Sequence, residues 1–389
     1  MELLYNEDSY MTEFLAETVS IEPAELNGKK VWDVILNRSC FFPEEGGQDS
    51  DTGSIFDVDN ESEYKVIHVA IKDNILHHYV ESEERPVLNR AHGCIKWDER
   101  YDKMQQHSGE HLVSGTVNRY FGFNNVGFHL GNDVTLDFDG VFTEENIKLI
   151  ETTVNRAVFE NFESKVYFPS PAQLKDLNYR SKKEIKGDVR IVEYPGYDIC
   201  ACCAPHVKRT GEIGLIKIVS AEHFKGGTRM MIKCGWRALN DYNLKFEACR
   251  SISQLLSSKQ DEVYEAVDKL SKDYLKAKYT IGRLQADLLD CLEVNALSMK
   301  NPVIFIDAAD VNVARENVND MVGRSDGYCG CFIGDDERGY SYIVGTRSGN
   351  CQELLAQMKE KLQAKGGGKP AMIQGSCNAS AAEIKDFFA

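Results

Sequence analysis

Residues 107–111 read His-Ser-Gly-Glu-His, and residues 202–206 read Cys-Cys-Ala-Pro-His. Each segment offers two side chains at i and i+4: His107 with His111, and Cys202 with His206. On a helix, residues four apart lie about 40° apart around the axis and one turn displaced, so both histidines can face one point. Soft sulfur together with imidazole suits zinc far better than magnesium or calcium. Two such pairs in one chain suggest a single site built by folding, and a zinc site with an open position is a hydrolytic site.

Outward from these segments the periodicity changes several times. Residues 1 to about 90 alternate apolar and polar in VWDVILNRSCFF, ESEYKVIHVAI and NILHHYVES, broken by Pro-Glu-Glu-Gly-Gly and Asp-Thr-Gly, and predict strands and turns. A helix is expected from near Tyr101 to about Tyr120, carrying both histidines. A hairpin should follow with Gly131-Asn132-Asp133 at its turn, then an amphipathic helix with Thr143 as N-cap and a capping-box acid downstream. The segments around 190–207 and 213–235 return to strand. From Ala238 to Leu297 the pattern is helical, with Ser257-Ser258-Lys259-Gln260 as an interruption. Val263, Val267, Leu270, Tyr274, Ala277, Ile281, Leu284, Leu288 and Cys291 form a heptad seam of the kind that packs against another helix or a second subunit. From Asn301 the order strand–helix–strand–strand–helix points to a small separate α/β domain.

The chain has 389 residues, 42% hydrophobic and 27% charged, which is ordinary soluble globular composition with room for two or three domains. No apolar run approaches the roughly 18 residues of a membrane span. The start is acidic, without a basic segment followed by an apolar one, so the cytoplasm is the expected location. Twelve cysteines scattered over such a chain read as reduced thiols and metal ligands, not disulfides. The net charge of −16 argues at first against nucleic acid, but residues 165–250 hold 16 Lys+Arg against 9 Asp+Glu. That basic zone contains the second ligand pair and can meet phosphates, whereas the bland alternative is that Lys182, Lys183, Lys186, Lys208 and Arg209 are only solvated surface.

Residues 107–111 also match H-x-x-E-H, an inverted zinc-protease signature with Glu110 as general base. That reading needs a carboxylate ligand such as Glu145, Glu151 or Glu160 and leaves the Cys202/His206 pair without a role. A structural zinc knuckle is the plain alternative for Cys200-Ala-Cys202-Cys203, and Cys329-Gly-Cys331 reads as structural. The run Lys365-Gly-Gly-Gly-Lys369 is too short for a Walker loop and lacks its Lys-Ser/Thr ending.

The combination decides. FFPEEGGQ (41–48) with Asp51-Thr52-Gly53, HSGEHL (107–112), VGFHLG (126–131) and CCAPHVKRTGEIG (202–214) resemble the editing half of alanyl-tRNA synthetase. In particular they resemble the free-standing alanyl-tRNA editing proteins of the AlaX type, in their long form. The resemblance covers essentially the whole chain and implies an α+β fold of four parts. These are a small β-barrel over residues 1–90, a zinc-binding editing domain over 91–240, a helical arm over 241–299, and a DHH-associated α/β domain over 300–389 that includes the glycine run. It places the zinc ligands on His107, His111, Cys202 and His206, and the editing-pocket glutamine on Gln48. The family usually has Cys-Gly-Gly-Thr-His where this chain has Cys-Cys-Ala-Pro-His, and more often a neutral residue at Glu110.

The function so implied is hydrolysis of the ester of mischarged tRNA(Ala) carrying serine or glycine, with Zn2+ as cofactor and no aminoacylation activity. A pocket built to hydrogen-bond a seryl hydroxyl rejects alanine, because its polar groups would be left unpaired. Gln48, Thr52 and Arg229 are the candidate substrate contacts, and Glu110 is the candidate proton shuttle. Lys182, Lys183, Lys186, Lys208, Arg209, Lys365 and Lys369 are the candidate tRNA contacts. The seam and the last domain are expected to form a homodimer. The other class of function considered is a non-catalytic tRNA-binding protein with a structural zinc.

Overall fold

The computed structural model describes residues 1–181 and 189–389, so Lys182, Lys183 and Lys186 lie outside the described residues. The fold is α+β and divides into two compact units, Met1–Ala248 and Cys249–Ala389. The expected parts 1–90 and 91–240 both fall in the first. Among the described residues no helix is long and apolar enough to cross a membrane.

The first unit begins with a closed barrel whose strands run, in spatial order, Glu13–Leu26, Lys29–Leu36, Ile75–Glu81, Glu63–Lys72, Gly53–Asp57 and Arg90–Ile95. The last pairs antiparallel with the first, Glu13 opposite Cys94 and Leu15 opposite His92, which closes the seam. Alternation turns Phe14, Ala16, Ile55, Val66, Ala91 and Ile95 inward, so one face of each strand fills the core while the other meets solvent. The barrel therefore runs to Ile95, past residue 90, because the strand that completes it lies there.

Directly after the closing strand the chain enters the helix Trp97–Phe121, which starts four residues before the expected Tyr101. Asp98 and Glu99 in its first turn complement the positive end of the helix dipole. Its middle, Met104 to Val117, is buried all round, as befits a core helix and not a surface one. Against it pack a sheet ordered Ile216–Phe224, Gly227–Cys234, Val134–Phe138, Asn125–Leu130, and the helix Glu144–Glu160. That second helix is capped by Thr143 as expected, but the reciprocal partner is Asn146, not an acid. Two apolar cores result, one in the barrel and one under the sheet, and Trp97 and Cys202 pack against both.

A buried ion pair joins these parts. Arg100 is fully buried; its Nε lies 2.9 Å from Asp51 Oδ2, its Nη1 donates to Ser9 O (3.0 Å) and its Nη2 to Cys40 O (2.7 Å) and to Asp51. Asp51 Oδ2 also accepts from Phe42 N (2.7 Å).

In the second unit a helix ends at Leu256 and resumes at Val263 after Ser257 adopts a positive φ of 50°, which matches the expected interruption. The long helix Val263–Ala296 leaves Val267, Leu270, Tyr274, Ile281, Leu284 and Leu288 of its seam exposed. A five-stranded sheet follows, ordered Val303–Ile306, Tyr328–Asp335, Gly339–Thr346, Met372–Cys377, Lys365–Lys369. Phe332 and Val344 face one core with Leu354, Met358 and Ile384, whereas Cys329, Cys331 and Ile343 face another with Ala314, Val318 and Leu289. Beyond the expected order, the glycine run is an exposed edge strand, and a helix, Ala381–Phe388, closes the chain.

Replacing Arg100 by Met should strand the Asp51 charge in the interior, a loss of about 3–5 kcal/mol. All three tryptophans, Trp32, Trp97 and Trp236, lie in the first unit, so urea unfolding followed by their fluorescence reports it. A transition midpoint equal to wild type would refute the organising role of this pair.

Candidate metal centre

The buried helix Trp97–Phe121 presents His107 and His111 one turn apart on one side. Facing them, the strand Asp198–Ala201 leads into the loop that carries Cys202 and His206. The four donor atoms lie within 4.8 Å of one another and form a group able to hold a metal ion. Cys202 Sγ stands 3.6 Å from His107 Nε2 and 3.3 Å from His206 Nε2. A sulfur and a nitrogen bound to one tetrahedral zinc are about 3.5 Å apart, given bonds of about 2.3 and 2.0 Å. Three imidazoles and a thiol at these separations fit zinc in both chemistry and spacing.

Each histidine has an outer polar group beside its other ring nitrogen, for His111 an ion-pair contact without hydrogen-bond geometry. His107 Nδ1 lies 2.9 Å from Gln48 Oε1, His111 Nδ1 lies 3.0 Å from Asp198 Oδ2, and His206 Nδ1 lies 3.1 Å from Ser108 Oγ and 3.3 Å from Tyr194 Oη. Such outer partners fix the tautomer and the ring plane and leave Nε2 to a metal. Asp198 is itself held by Arg180, at 2.7 and 2.8 Å. The loop is set by Arg190, whose Nη1 donates to the carbonyls of Cys202 (2.9 Å) and Ala204 (2.8 Å), while Cys202 N donates to Arg190 O (3.0 Å).

The electrostatics follow from this packing. Burial alone would raise the Cys202 thiol, but His107 and His206 outweigh it and hold the thiol well below its ordinary range, toward the thiolate a metal requires. Burial pushes His206 down to about 3, so it is a neutral ligand. His111 goes the other way: against burial, Asp198 and Cys202 raise it to about 9.

Gln48 is brought directly to this centre, at the end of a turn in which Gly46 and Gly47 have φ of 65° and 84°. Its Nε2 is buried with no hydrogen-bond partner among the described residues. Glu110, the candidate proton shuttle, is buried. Its Oε1 accepts from Ser114 Oγ (2.7 Å) and Asn125 Nδ2 (2.8 Å), and its Oε2 lies 3.8 Å from His111 Nε2. Thr52 donates to Glu99 (2.7 Å) on an exposed side, and Arg229 pairs with Asp137 (2.6 and 2.7 Å) under the Phe224 ring, so both have intrachain partners outside the donor group. Lys208 pairs with Asp8 and Arg209 with Glu163, while Lys365 and Lys369 are exposed. Among the described residues neither Glu145, Glu151 nor Glu160 joins the donor group, which removes the ligand the protease reading needs. Sequence reasoning missed Asp198, Arg180, Ser108, Tyr194 and Arg190. The general expectation of a carboxylate behind a metal-binding histidine was the one signal available for Asp198.

Two family models match the chain: class II tRNA synthetases (A) over residues 2–95, and the threonyl and alanyl tRNA synthetase second additional domain over residues 189–230. The first spans the barrel, the second the loop with Cys202 and His206. The alanyl-tRNA editing protein Aarsd1-A of Xenopus laevis is 29% identical over 95% of this chain and 92% of its own length. Aarsd1 of Danio rerio is 28% identical over 95% and 92%. The alanine–tRNA ligase of Pyrococcus furiosus is 30% identical over 74% of this chain but only 32% of that protein.

Asp198→Asn should keep the shape of the outer contact while removing its charge, and metal affinity should fall about 10–100-fold. A competition titration against a chromophoric chelator measures this, and unchanged affinity would remove Asp198 from the centre.

Proposed function

This chain is a homologue of the alanyl-tRNA editing proteins, and we propose that it is a zinc-dependent hydrolase that frees tRNA(Ala) of wrongly attached serine or glycine in the cytoplasm. The observation that carries the reading is the convergence of His107, His111, Cys202 and His206, with an outer polar group beside each Nδ1. Zinc bound there supplies Lewis-acid polarisation of an ester carbonyl or of water.

The remaining roles belong to the side chains. Gln48 Nε2, a buried donor without a partner among the described residues, is suited to a seryl hydroxyl or an ester carbonyl. Alanine would leave it unsatisfied, which is the physical basis of discrimination. Glu110 takes a proton from the attacking water and returns it to the departing 3′-oxygen of the terminal ribose, its carboxylate oriented by Ser114 and Asn125. Thr52 and Arg229 are further substrate contacts in this reading only if they exchange Glu99 and Asp137 for substrate. The tRNA itself is held by phosphate contacts from Lys182, Lys183, Lys186, Lys208, Arg209, Lys365 and Lys369. One observation favours a second reading: four protein donors complete a tetrahedron, as in structural zinc sites. In that case the chain would bind tRNA without hydrolysing its ester.

Deacylation of Ser-tRNA(Ala) against Ala-tRNA(Ala) distinguishes the two. Hydrolysis of the seryl ester should be faster by about 10²-fold or more. Glu110→Gln should lower kcat by about 10²-fold, and KM should rise steeply with salt. Zinc bound by His107, His111, Cys202 and His206 without deacylation would establish the structural reading.

The exposed seam of Val263–Ala296 supports a homodimer through this helix and the domain after it, since soluble proteins rarely leave so long an apolar stripe bare. Light scattering should give about twice the 43.8 kDa chain mass, and Leu284→Glu should return the monomer. A monomer for wild type at micromolar concentration refutes the dimer.

A further inference from the structure

A second cluster of different donor types lies on the outer face of the barrel, away from the buried helix. His92 and Cys94 are two apart on the strand Arg90–Ile95 and so point to the same side, while Ala91, Gly93 and Ile95 turn inward. Glu13, on the strand Glu13–Leu26, is the cross-strand partner of Cys94. On the other flank Ser54 is also opposite Cys94, and its Oγ donates to Glu63 Oε1 at 2.5 Å, which brings another carboxylate beside the group.

The donor atoms are spaced as ligands. Glu13 Oε2 lies 3.2 Å from His92 Nε2, and Cys94 Sγ lies 3.5 Å from the same nitrogen. Oxygen and nitrogen on one tetrahedral zinc are separated by about 3.3 Å, and sulfur and nitrogen by about 3.5 Å. One donor atom from each of the three residues lies within 4.8 Å of the others. A Glu–His ion pair alone would explain the first distance. It does not account for the thiol at the same ring, with Cys94 Sγ 3.5 Å from Nε2 and 3.9 Å from Nδ1. Beside the cluster lies a cleft of about 760 Å³ whose lining includes Glu13, Leu15, Phe56, Val58 and His92, so the donors are reachable from solvent.

We propose that Glu13, His92 and Cys94 form a second metal site that takes zinc or another borderline-soft divalent transition-metal ion. Imidazole, thiolate and carboxylate together select such ions over magnesium and calcium. Three protein donors leave a fourth position for water. The ion ties the two strands whose pairing closes the barrel, and the second of them leads directly into the helix that carries His107 and His111. It therefore acts as a clamp on the seam, independent of the buried centre and of the hydrolytic reading of it.

Chelator-stripped full-length protein titrated with Co(II), followed by thiolate charge-transfer absorbance, tests the site. Wild type should take up two equivalents. His92→Ala and Cys94→Ser should each take up one at unchanged affinity, and Glu13→Gln should weaken the second equivalent more than about tenfold. Cys202→Ser should retain the equivalent that the barrel variants lose. Thermal midpoints of the stripped variants, set beside stripped wild type, separate lost folding from lost ligation. A single equivalent in wild type, or two equivalents in both His92→Ala and Cys94→Ser, overturns the proposal.

Discussion

A guanidinium with no water around it must find its partners inside the fold, and Arg100 meets that constraint in a way that sets the geometry of the first unit. Its donors reach Asp51 and the carbonyls of Ser9 and Cys40, and Lys103 Nζ adds a contact to Ser50 O at 2.6 Å. All of these acceptors lie in the N-terminal segment or in the barrel loop from Cys40 to Asp51, whereas Arg100 and Lys103 belong to the helix Trp97–Phe121. The loop is therefore docked on the helix at two successive turns, and Gln48 is carried to His107 at the next. Apolar packing at Trp97 and Cys202 joins the two cores, but it is non-directional. The buried ion pair is what specifies one register of loop against helix.

The same logic of satisfied burial governs the metal-binding side chains. Three imidazoles in a core would each cost free energy if a ring nitrogen were unpaired. The chain answers with an amide for His107, a carboxylate for His111, and hydroxyls for His206. These partners are not equivalent. Burial would raise the Asp198 carboxyl, yet Arg180 and His111 hold it below its usual range, so His111 faces a fixed negative charge and is raised where His206 is lowered. Arg180, Asp198 and His111 thus form one chain of contacts through the interior, an arrangement in which removing one member leaves its neighbours exposed to the low-dielectric cost.

The four donors were legible in the sequence because i,i+4 spacing is a statement about geometry. The reason it works differs between the pairs, however. His107 and His111 converge through helical pitch, while Cys202 and His206 sit in a loop whose shape depends on Arg190, twelve residues before Cys202 in the chain. Nothing in their spacing reveals that dependence. The burial of Glu110 was equally hidden. The stretch Asp102 to Glu110 reads polar, yet Gln105, Gln106 and Ser108 are buried because each finds a backbone or side-chain partner. Hydrophobic periodicity records only apolar burial, so a core helix stabilised this way looks like a surface one. The barrel strands were legible as alternation, but the strand that closes the barrel follows a turn with no strong signal, and the expected boundary stopped short of it. In the second unit the heptad pattern correctly marked a continuous helix and its apolar stripe, whereas the glycine run gave no strand signal because it has no side chains to alternate.

The altered loop shows how one geometry can be reached by different means. Cys-Gly-Gly-Thr-His, which the family usually carries, leaves the backbone free to bend; Cys202-Cys-Ala-Pro-His instead restricts it, with Pro205 fixing its own φ and disfavouring helical backbone at Ala204. Restriction serves the site only if the restricted shape is the ligating one, and two contacts enforce that. Arg190 holds the carbonyls of Cys202 and Ala204 from one side. From the other, Cys203 fills the space beside the Gly46–Gly47 turn, where a Cβ on Gly46 would stand 3.4 Å from Cys203 Sγ. The turn that aims Gln48 and the loop that aims Cys202 are therefore packed against each other, so a ligand and the outer partner of another ligand move together. A loop with glycines at 203 and 204 would lack the Cys203 contact, and the position of Gln48 would then depend on the docking of Arg100 and Lys103 and on the bond from Leu130 N to Gly47 O (3.1 Å).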